Sequence, residues 1–283
     1  MTTAFSRYAR VLSIAGSDSG GGAGIQADLK TFSALGCYGM TAITALTAQN
    51  TLGVSGIHEV PAAFLKAQIR AVVEDIGVDA VKIGMLHGPE IVEVVAWSID
   101  HYRLPNVVLD PVMVATSGDR LMAADTVAVL VRELFPRALV VTPNLDEAAL
   151  LIGHPIDSVD ALDDAAGELL ALGARAVLLK GGHLPGDDVV DLLAQAGGER
   201  LRLASTRIAS RNLHGTGCTL SSAIAAHLAL GFALDQAVER ARGYVVAAME
   251  AGAQMKMGAG HGPLNHGHAP VPSVRLPVPY RRS

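Results

Sequence analysis

The chain has 283 residues, half of them hydrophobic and 17% charged, with a formal net charge of −5. A chain of this length can close one large core or at most two ordinary ones. The mild charge, with no Lys/Arg run longer than Arg281-Arg282, argues against nucleic acid and against an anionic membrane as partners. The abundance of small aliphatic residues favours an α/β sheet covered by helices on both faces.

Cysteine usage and apolar segments bear on the compartment. Cys37 and Cys218 lie far apart with no C-x-x-C, so neither a disulfide framework nor a zinc site is indicated. The apolar run at 11–15 is too short for a secretory signal, and the run at 219–234 is too short to span a bilayer. We therefore expect a cytoplasmic protein.

Strand and helix patterns alternate in chain order. Apolar runs at 11–15, 39–46, 80–83, 107–109, 139–142 and 176–180 predict strands. Helical spacing follows at 24–35, at 61–76 with Pro61 in the first turn, and between the later runs. Residues 189–194 and 200–208 predict an antiparallel hairpin at the sheet edge. Long helices are predicted at 218–230 and from 235 to about 255, the second capped by Asp235.

This alternation predicts a mainly parallel sheet, with ligands at the carboxyl ends of its strands. No internal linker or repeat divides the span. We expect one domain over residues 1–268. The Pro-rich tail at 269–283 is expected to be irregular.

A glycine-rich loop at 17–24, SDSGGGAG, joins the first strand to the first helix. Gly22, Gly24 and Ala27 match the spacing of a dinucleotide fingerprint, but no Asp or Glu lies between Leu29 and His58 to bind a ribose. A P-loop is excluded too, because no Lys follows the last glycine. Two interpretations remain open: a tight strand-to-helix turn, or a backbone that passes very close to a small group.

A second loop, NLHGTGC at 212–218, opens a long predicted helix. Backbone N–H groups of Gly215, Thr216 and Gly217 can converge on an anion, with help from the helix dipole. Cys218 then occupies the first helical turn, where the pKa of a thiol can fall below about 8.5 and allow it to act as a base. The alternative is a glycine turn followed by a small buried cysteine.

Polar residues follow several predicted strands. Asp110, and Asn144 with Glu147, place oxygen atoms where a magnesium–nucleotide complex would need them. Asn144 and Glu147 also have the spacing of a capping box, and both interpretations can hold together. Lys180 ends another strand, where it can contact phosphate or extend along the surface as a solvated lysine.

Taken together, the order and wording of these motifs resemble the hydroxymethylpyrimidine/phosphomethylpyrimidine kinases, a ribokinase-like family of thiamine synthesis. The resemblance covers roughly residues 10–268, and several long motifs in order are far more specific than any one of them. The motifs are AGSDSGGGAGIQADLK at 15–30, ALTAQNT at 45–51, KIGML at 82–86, LDPVM at 109–113, TPN at 142–144, KGGH at 180–183, HGTGCT at 214–219 and GHGP at 260–263.

The resemblance implies a three-layer αβα ribokinase-like fold with no separate lid domain, the use of ATP and Mg²⁺, and a homodimer. A pairing of the edge hairpin across a two-fold axis would suit such a dimer. The anion hole is assigned to Gly215, Thr216 and Gly217, nucleotide contacts to Lys180 and Asn144, and metal contacts to Asp110 and Glu147. The pyrimidine pocket is assigned to Gly16, Asp28, Thr47, Gln49, Met85, Val112 and Cys218.

Gln49 is chemically suited to an aminopyrimidine. Its amide can accept a hydrogen bond from the exocyclic amine while it donates to the adjacent ring nitrogen. Some relatives carry Glu at this position. Ser17 and Ser19 replace a more usual Thr and Pro in the first loop, which keeps its small, polar character.

The activity implied is phosphorylation of the hydroxymethyl group of the pyrimidine and then of the monophosphate, the second step resting on the resemblance alone. A pyridoxine/pyridoxal kinase is the nearest alternative. A dehydrogenase is disfavoured by the missing ribose-binding acid. A non-catalytic sensor on the same scaffold would be expected to have lost Cys218, Lys180 or the Gly-Thr-Gly turn, and this chain retains all of them.

Overall fold

The computed structural model describes residues 5–113 and 122–278. The strands in these ranges are β1 (Ser6–Tyr8), β2 (Arg10–Ala15), β3 (Tyr38–Ile43), β4 (Ala45–Asn50), β5 (Gly53–Glu59), β6 (Ala80–Ile83), β7 (Val107–Leu109), β8 (Val140–Val141), β9 (Ala176–Leu179), β10 (Asp188–Gln195), β11 (Arg200–Thr206) and β12 (Arg275–Pro277). The helices in the same ranges are α1 (Gly24–Ala34), α2 (Ala62–Asp75), α3 (Pro89–Tyr102), α4 (Ala124–Leu134), α5 (Leu145–Ile152), α6 (Leu162–Ala171), α7 (Thr216–Ala229) and α8 (Leu234–Gly252).

An eight-stranded sheet organises the described residues, in the order β11-β10-β9-β8-β7-β6-β2-β3. Its neighbouring strands β3, β2, β6, β7, β8 and β9 are parallel, whereas β10 runs antiparallel to β9 and to β11. The predicted hairpin at the sheet edge is therefore confirmed. Because the parallel strands share a direction, the loops that follow them meet at one edge of the sheet.

Helices cover both faces of this sheet, which gives the predicted three layers. Successive residues of a strand point to opposite faces. In β2, accordingly, Val11 packs into a core beneath α1, α7 and α8, while Leu12 packs into a second core beneath α2 to α6. The central strands are buried on both sides, so their apolar runs show no alternation. No helix in the described ranges is long and apolar enough to cross a membrane.

The predicted strand at 39–46 is in fact two strands. β3 ends at Ile43, and β4 starts at Ala45 in a separate antiparallel hairpin with β5. Thr44 marks the break because it is fully buried, donates its Oγ1 to the carbonyl of Met85 at 2.8 Å and its backbone N–H to Ala15 at 3.0 Å. Only Ala45 is buried within the hairpin, which has no core of its own.

The tail is less irregular than predicted. Val271 and Val274 donate backbone hydrogen bonds to Ala34 and Gly36, and β12 then pairs antiparallel with β1. The approach is close, since a Cβ on Gly36 would lie 2.7 Å from the carbonyl oxygen of Pro272. Residues 279–283 of the predicted tail lie outside the described residues.

The predicted cap of the last long helix is wrong by two residues. Ala233 is the N-cap of α8 and supplies no side-chain hydrogen bond, while Asp235 lies within the first turn. Its charge there suits the positive end of the helix dipole without capping it.

Candidate active site

The two glycine-rich loops meet at the carboxyl edge of the sheet. A Cβ on Gly22 would lie 2.5 Å from Cδ2 of His214, and one on Gly215 would overlap the carbonyl oxygen of Gly22. Gly215 also has φ +85°, a conformation that favours glycine. The first glycine cluster forms a tight strand-to-helix turn, with positive φ at Gly21 and Gly24, and it is also approached closely by the second loop. The alternative, a backbone close to a small bound group, stays a prediction.

Asp18 holds these loops together. Its carboxylate accepts hydrogen bonds from the backbone N–H groups of Gly20 at 2.8 Å, Gly22 at 3.1 Å and Ala23 at 2.8 Å, and from Nε2 of His214 at 2.8 Å. Burial alone would raise the pKa of Asp18, but these hydrogen bonds lower it below its ordinary value. Asp18 was not among the predicted site residues, and its partner lies 196 residues away in sequence.

Cys218 lies in the first turn of α7 and is half-buried. The charges of Lys82, Asp28 and Asp110 act on its sulfur, as does the backbone N–H of Gly24. Burial raises the pKa of Cys218 to about 11; Lys82 opposes this effect, while both carboxylates add to it. The predicted lowering of the thiol pKa is wrong, because burial and two nearby acids outweigh the helix N-terminus.

A buried ion pair lies beneath this thiol. Nζ of Lys82 is 2.9 Å from both carboxylate oxygens of Asp28, which also accept from Oγ of Ser13 and Oγ of Ser222 at 2.6 Å each. Asp28 and Lys82 are both 0% exposed. Asp28 was predicted to line the pyrimidine pocket; in the structure its oxygens accept hydrogen bonds from these three protein groups, and its role toward a ligand stays a prediction.

Lys82 was not among the predicted site residues. Burial alone would lower the pKa of Lys82, but Asp28, with help from Cys218 and Asp110, raises it. A signal existed in the sequence, because a lysine within an otherwise apolar strand of four residues is rarely buried without a partner.

Asp110 and Lys180 form a second ion pair, near the start of α7. Oδ1 of Asp110 accepts from Nζ of Lys180 at 3.1 Å and from Oγ1 of Thr142 at 3.1 Å, and Oδ2 accepts from Oγ of Ser221 at 3.3 Å. A Cβ on Gly217 would lie 3.2 Å from Nζ of Lys180. The structure therefore brings this lysine and this acid to the start of α7, beside the glycines of the predicted anion hole.

Asn144 and Glu147 form the predicted capping box. The Asn144 backbone donates to Glu147 at 2.8 Å, and the Glu147 backbone donates to the Asn144 side chain at 2.9 Å. Burial, with a contribution from Asp110, raises the pKa of Glu147 to about 7 against the opposing charge of Lys180. Oε2 of Glu147 is 4.0 Å from Nζ of Lys180. The capping box and the pair of neighbouring acids, Asp110 and Glu147, are thus both present.

The remaining predicted residues lie around the first glycine loop. A Cβ on Gly16 would lie 2.5 Å from Cε of Met85, so the end of this methionine packs directly on the glycine. Thr47 Oγ1 donates to the carbonyl of Ser17 at 2.9 Å and lies 3.2 Å from Oε1 of Gln49. Thr47 and Gln49 therefore share one face of β4, tied to the first glycine loop.

Gly24, at the start of α1, lies between Gly16 and Cys218. A Cβ on Gly24 would lie 2.5 Å from the carbonyl oxygen of Gly16, and its N–H reaches Cys218. Val112 is half-buried and donates its backbone N–H to the carbonyl of Asp110 at 2.8 Å.

Two cavities lie outside this cluster. One, of about 570 Å³, surrounds the opposite ends of β7 to β9; the other, of about 650 Å³, lies between 209–212 and 253–260.

Among the described residues, no group of three or more His, Cys, Asp or Glu side chains could hold a metal ion. Asp110 and Glu147 are two buried acids, and both lie close to Nζ of Lys180. They fit a cation that takes its other ligands from phosphate and water.

A glycine-lined helix start, a lysine and two buried acids at the carboxyl edge of a three-layer α/β sheet define a phosphoryl-transfer enzyme. A family model described as phosphomethylpyrimidine kinase matches residues 18–265. The chain belongs to this kinase family, which confirms the resemblance seen in the sequence. The hydroxymethylpyrimidine/phosphomethylpyrimidine kinase of Rhizobium meliloti is 53% identical over 258 residues, covering 91% of this chain and 96% of its own. The Bacillus subtilis enzyme of the same name is 46% identical over 257 residues, covering 91% and 94%.

Solved structures agree on the fold. An ADP complex of Bacillus subtilis pyridoxal kinase has a TM-score of 0.85 and 37% identity, covering 93% of this chain and 98% of its own. Phosphomethylpyrimidine kinase from Clostridium difficile has a TM-score of 0.75 and 44% identity, covering 85% and 99%. These similarities confirm the predicted ribokinase-like architecture.

Proposed function

We propose that the chain transfers a phosphoryl group from ATP to the hydroxymethyl group of 4-amino-5-hydroxymethyl-2-methylpyrimidine, and then a second one to the resulting monophosphate, in thiamine synthesis. One observation carries the proposal. A Cβ on Gly217, next to Cys218, would lie 3.2 Å from Nζ of Lys180 and 3.5 Å from Oδ2 of Asp110, while the N–H of Gly24, which packs against Gly16, acts on the Cys218 sulfur. A hydroxyl group held there lies between a ring site and an anion site.

The ring is bound by β4 and the loops facing it. Gln49 presents an amide that can pair with an exocyclic amine and a ring nitrogen at once. Met85 and Val112 supply apolar contact to the ring and its methyl group. Pairing with an aminopyrimidine would replace the contact between Oε1 of Gln49 and Oγ1 of Thr47.

The phosphoryl group is received at the start of α7. The backbone N–H groups of Gly215 and Gly217 and the helix dipole act on the charge of the transferring phosphate, whereas the N–H of Thr216, also predicted to do so, donates to the carbonyl of Leu213 at 3.2 Å. Lys180 contributes a point charge, and Asn144 lies beside it at the end of β8. Asp110 and Glu147 are the residues that would hold Mg²⁺ through water, and the ion would offset charge on the transferring phosphate.

Cys218 acts as a thiol that positions the hydroxyl group. With a pKa of about 11, only about one thiol in ten thousand is ionised at neutral pH. A loose phosphoryl-transfer transition state needs little help from a base, so the alcohol proton can leave late. The Cys218→Ser enzyme should then keep activity within about tenfold of wild type, and Cys218→Ala should lose more. An Ala variant with normal turnover would remove Cys218 from the mechanism.

The function is tested with the purified chain, Mg-ATP and the pyrimidine alcohol, by following products by mass. Mono- and diphosphate should appear in succession. Loss of ATP without a phosphorylated pyrimidine would refute the proposal.

Pyridoxal kinase activity is the second candidate. The observation that favours it is the TM-score of 0.85 to a pyridoxal kinase from Bacillus subtilis. Parallel steady-state assays of the two alcohols decide between them, and we expect the larger kcat/KM for the aminopyrimidine because of the Gln49 amide.

We also propose that the chain works in the cytoplasm as a homodimer. Cys37 and Cys218 are both free thiols, which suits a reducing compartment. β11 forms one edge of the sheet, where a second copy could add its own edge strand. Light scattering on the purified protein should give twice the chain mass, and a monomer at micromolar concentration would refute the dimer.

A further inference from the structure

Asp18 has a position that none of the proposed chemical steps uses. It is 1% exposed, and one oxygen, Oδ2, accepts from Gly22, Ala23 and His214 together while Oδ1 accepts from Gly20. A carboxylate so saturated cannot contact substrate. It determines the shape of the loop wrapped around it and the place of the histidine bound to it.

His214 directly precedes the anion hole. Its backbone N–H donates to the carbonyl of Gly262 at 3.1 Å, and its ring packs on Gly22. Its side chain is 12% exposed. With ring and backbone both held, His214 has little freedom, and the next residue, Gly215, is the N-cap of α7, where the proposed anion site begins.

The other end of the loop is tied to the strand that carries Gln49. Ser17 Oγ accepts from the backbone N–H of Thr47 at 3.0 Å. Ser19 Oγ accepts from the N–H of Gln49 and donates to its carbonyl, at 2.8 Å in both cases. Asp18 lies between these two serines, so one short segment contacts the ring-binding strand and, through His214, the anion hole.

We propose that Asp18 is a positioning residue for phosphoryl transfer. Through its hydrogen bond with Nε2 of His214 it sets the distance between the Gly215–Gly217 turn and the ring-binding face of β4. The inference rests on the proposed function of both sites. A displacement of about 1 Å between reacting groups can cost about a hundredfold in rate, so a lost contact away from the chemistry has a measurable effect.

The test compares Asp18→Asn, His214→Leu, His214→Gln and the double variant Asp18→Asn/His214→Leu. Gln keeps an amide donor near the place of Nε2, whereas Leu keeps only volume. We expect Asp18→Asn and His214→Leu to lower kcat by about tenfold or more, with KM for the pyrimidine changed less than about threefold. His214→Gln should remain within about threefold of wild type, and the double variant should lose no more than the worse single variant.

The chain offers a matched control. His154 and Glu168 form another imidazole–carboxylate pair, with Nε2 3.0 Å from Oε2, on an exposed surface between α5 and α6. His154→Leu should leave kcat unchanged. The proposal would be overturned if the losses of kcat in Asp18→Asn and His214→Leu multiplied in the double variant. Equal activities of His214→Leu and His214→Gln would overturn it as well.

Urea unfolding of the same variants gives a readout independent of catalysis. The shifts in midpoint caused by Asp18→Asn and His214→Leu should be non-additive, because the two side chains share one contact; additive shifts would overturn that contact. Should Asp18→Asn fail to fold, the comparison of His214→Leu with His214→Gln decides. A wild-type chain without kinase activity would refute the proposed function, while the unfolding cycle would still test the contact.

Discussion

Cys218 shows how one side chain is governed by its surroundings more than by its place in a helix. The helix N-terminus favours a thiolate, but burial and the carboxylates of Asp28 and Asp110 favour the thiol. The sequence placed Cys218 correctly in the first turn of a helix. It could not predict the pKa, because the two acids come from distant segments.

The first prediction concerns the pH dependence of kcat. A thiolate base with a pKa of about 11 would make kcat rise about tenfold per pH unit across the range 7–10. A positioning thiol predicts that wild type and Cys218→Ser share one pH profile over this range. A steep rise in wild type that the serine variant lacks would contradict the account.

Glu147 gives a second prediction at the same scale. Its pKa is raised from 4.5 to about 7, so folding favours its protonated form. That stabilisation is complete below about pH 4.5 and is lost as the pH rises through about 7. Between pH 5 and 8 the wild type should lose on the order of 1–3 kcal/mol through this group.

Glu147→Gln keeps a side-chain acceptor for the capping box and should abolish this pH-dependent loss. Urea unfolding at several pH values measures it. Asp146→Asn is the control, because Asp146 lies on the same first turn but is 78% exposed. Equal pH dependence in wild type and Glu147→Gln would show that Glu147 ionises normally.

At the scale of elements, most helices and strands were predictable and their long-range links were not. The apolar runs gave the positions of β2, β6, β7 and β9 because buried parallel strands are continuously apolar. The run at 39–46 misled, since Thr44 breaks it through a hydrogen bond to Met85, 41 residues later. The pairing of β12 with β1 joins the two ends of the chain and has no local signal.

The Lys82–Asp28 pair joins β6 to α1 and gives the third prediction. Removing one partner leaves a buried charge uncompensated, so Asp28→Asn should destabilise folding by about 3–5 kcal/mol. Equilibrium urea unfolding measures the change. Glu168→Gln, at an exposed ion pair, is the control and should have little effect. A small loss in Asp28→Asn would mean that Lys82 gives up its proton or reaches water.

At the scale of the whole molecule, the β4–β5 hairpin and the loop at 258–263 close over the first glycine loop. Thr51, at the hairpin tip, accepts backbone hydrogen bonds from Gly260 at 3.2 Å and His261 at 3.0 Å. A Cβ on Gly260 would overlap the carbonyl of Thr51. The tip of the β4–β5 hairpin is therefore positioned by a segment more than 200 residues away in sequence.

The fourth prediction follows from this contact. Gly260→Ala should displace the hairpin tip, and with it Gln49, raising KM for the pyrimidine by about tenfold with a smaller change in KM for ATP. Gly267→Ala is the matched control, because a Cβ at Gly267 meets nothing within 4 Å. Steady-state kinetics on both substrates measure the effect. An unchanged KM in the Gly260 variant would show that the hairpin is positioned independently of this loop.

The fold and the family were predictable because motifs kept in order carry more information than any single loop. The roles of individual residues within the site were less predictable from the sequence. Asp18 and Lys82 act through partners that only the folded chain brings near, and Asp28 is enclosed by groups from three other elements. Residues that touch substrate tend to stand in recognisable motifs, whereas those that position them depend on tertiary contacts.

The most direct test is a crystal structure of the chain with the pyrimidine alcohol and a non-hydrolysable ATP analogue. The account predicts a single site, with the ring against Gln49 and the hydroxymethyl oxygen beside Sγ of Cys218. That oxygen should lie about 3–3.5 Å from the γ-phosphorus or its substitute at the Gly215–Gly217 turn. A ring bound away from Gln49, or a phosphate bound away from the start of α7, would contradict the account.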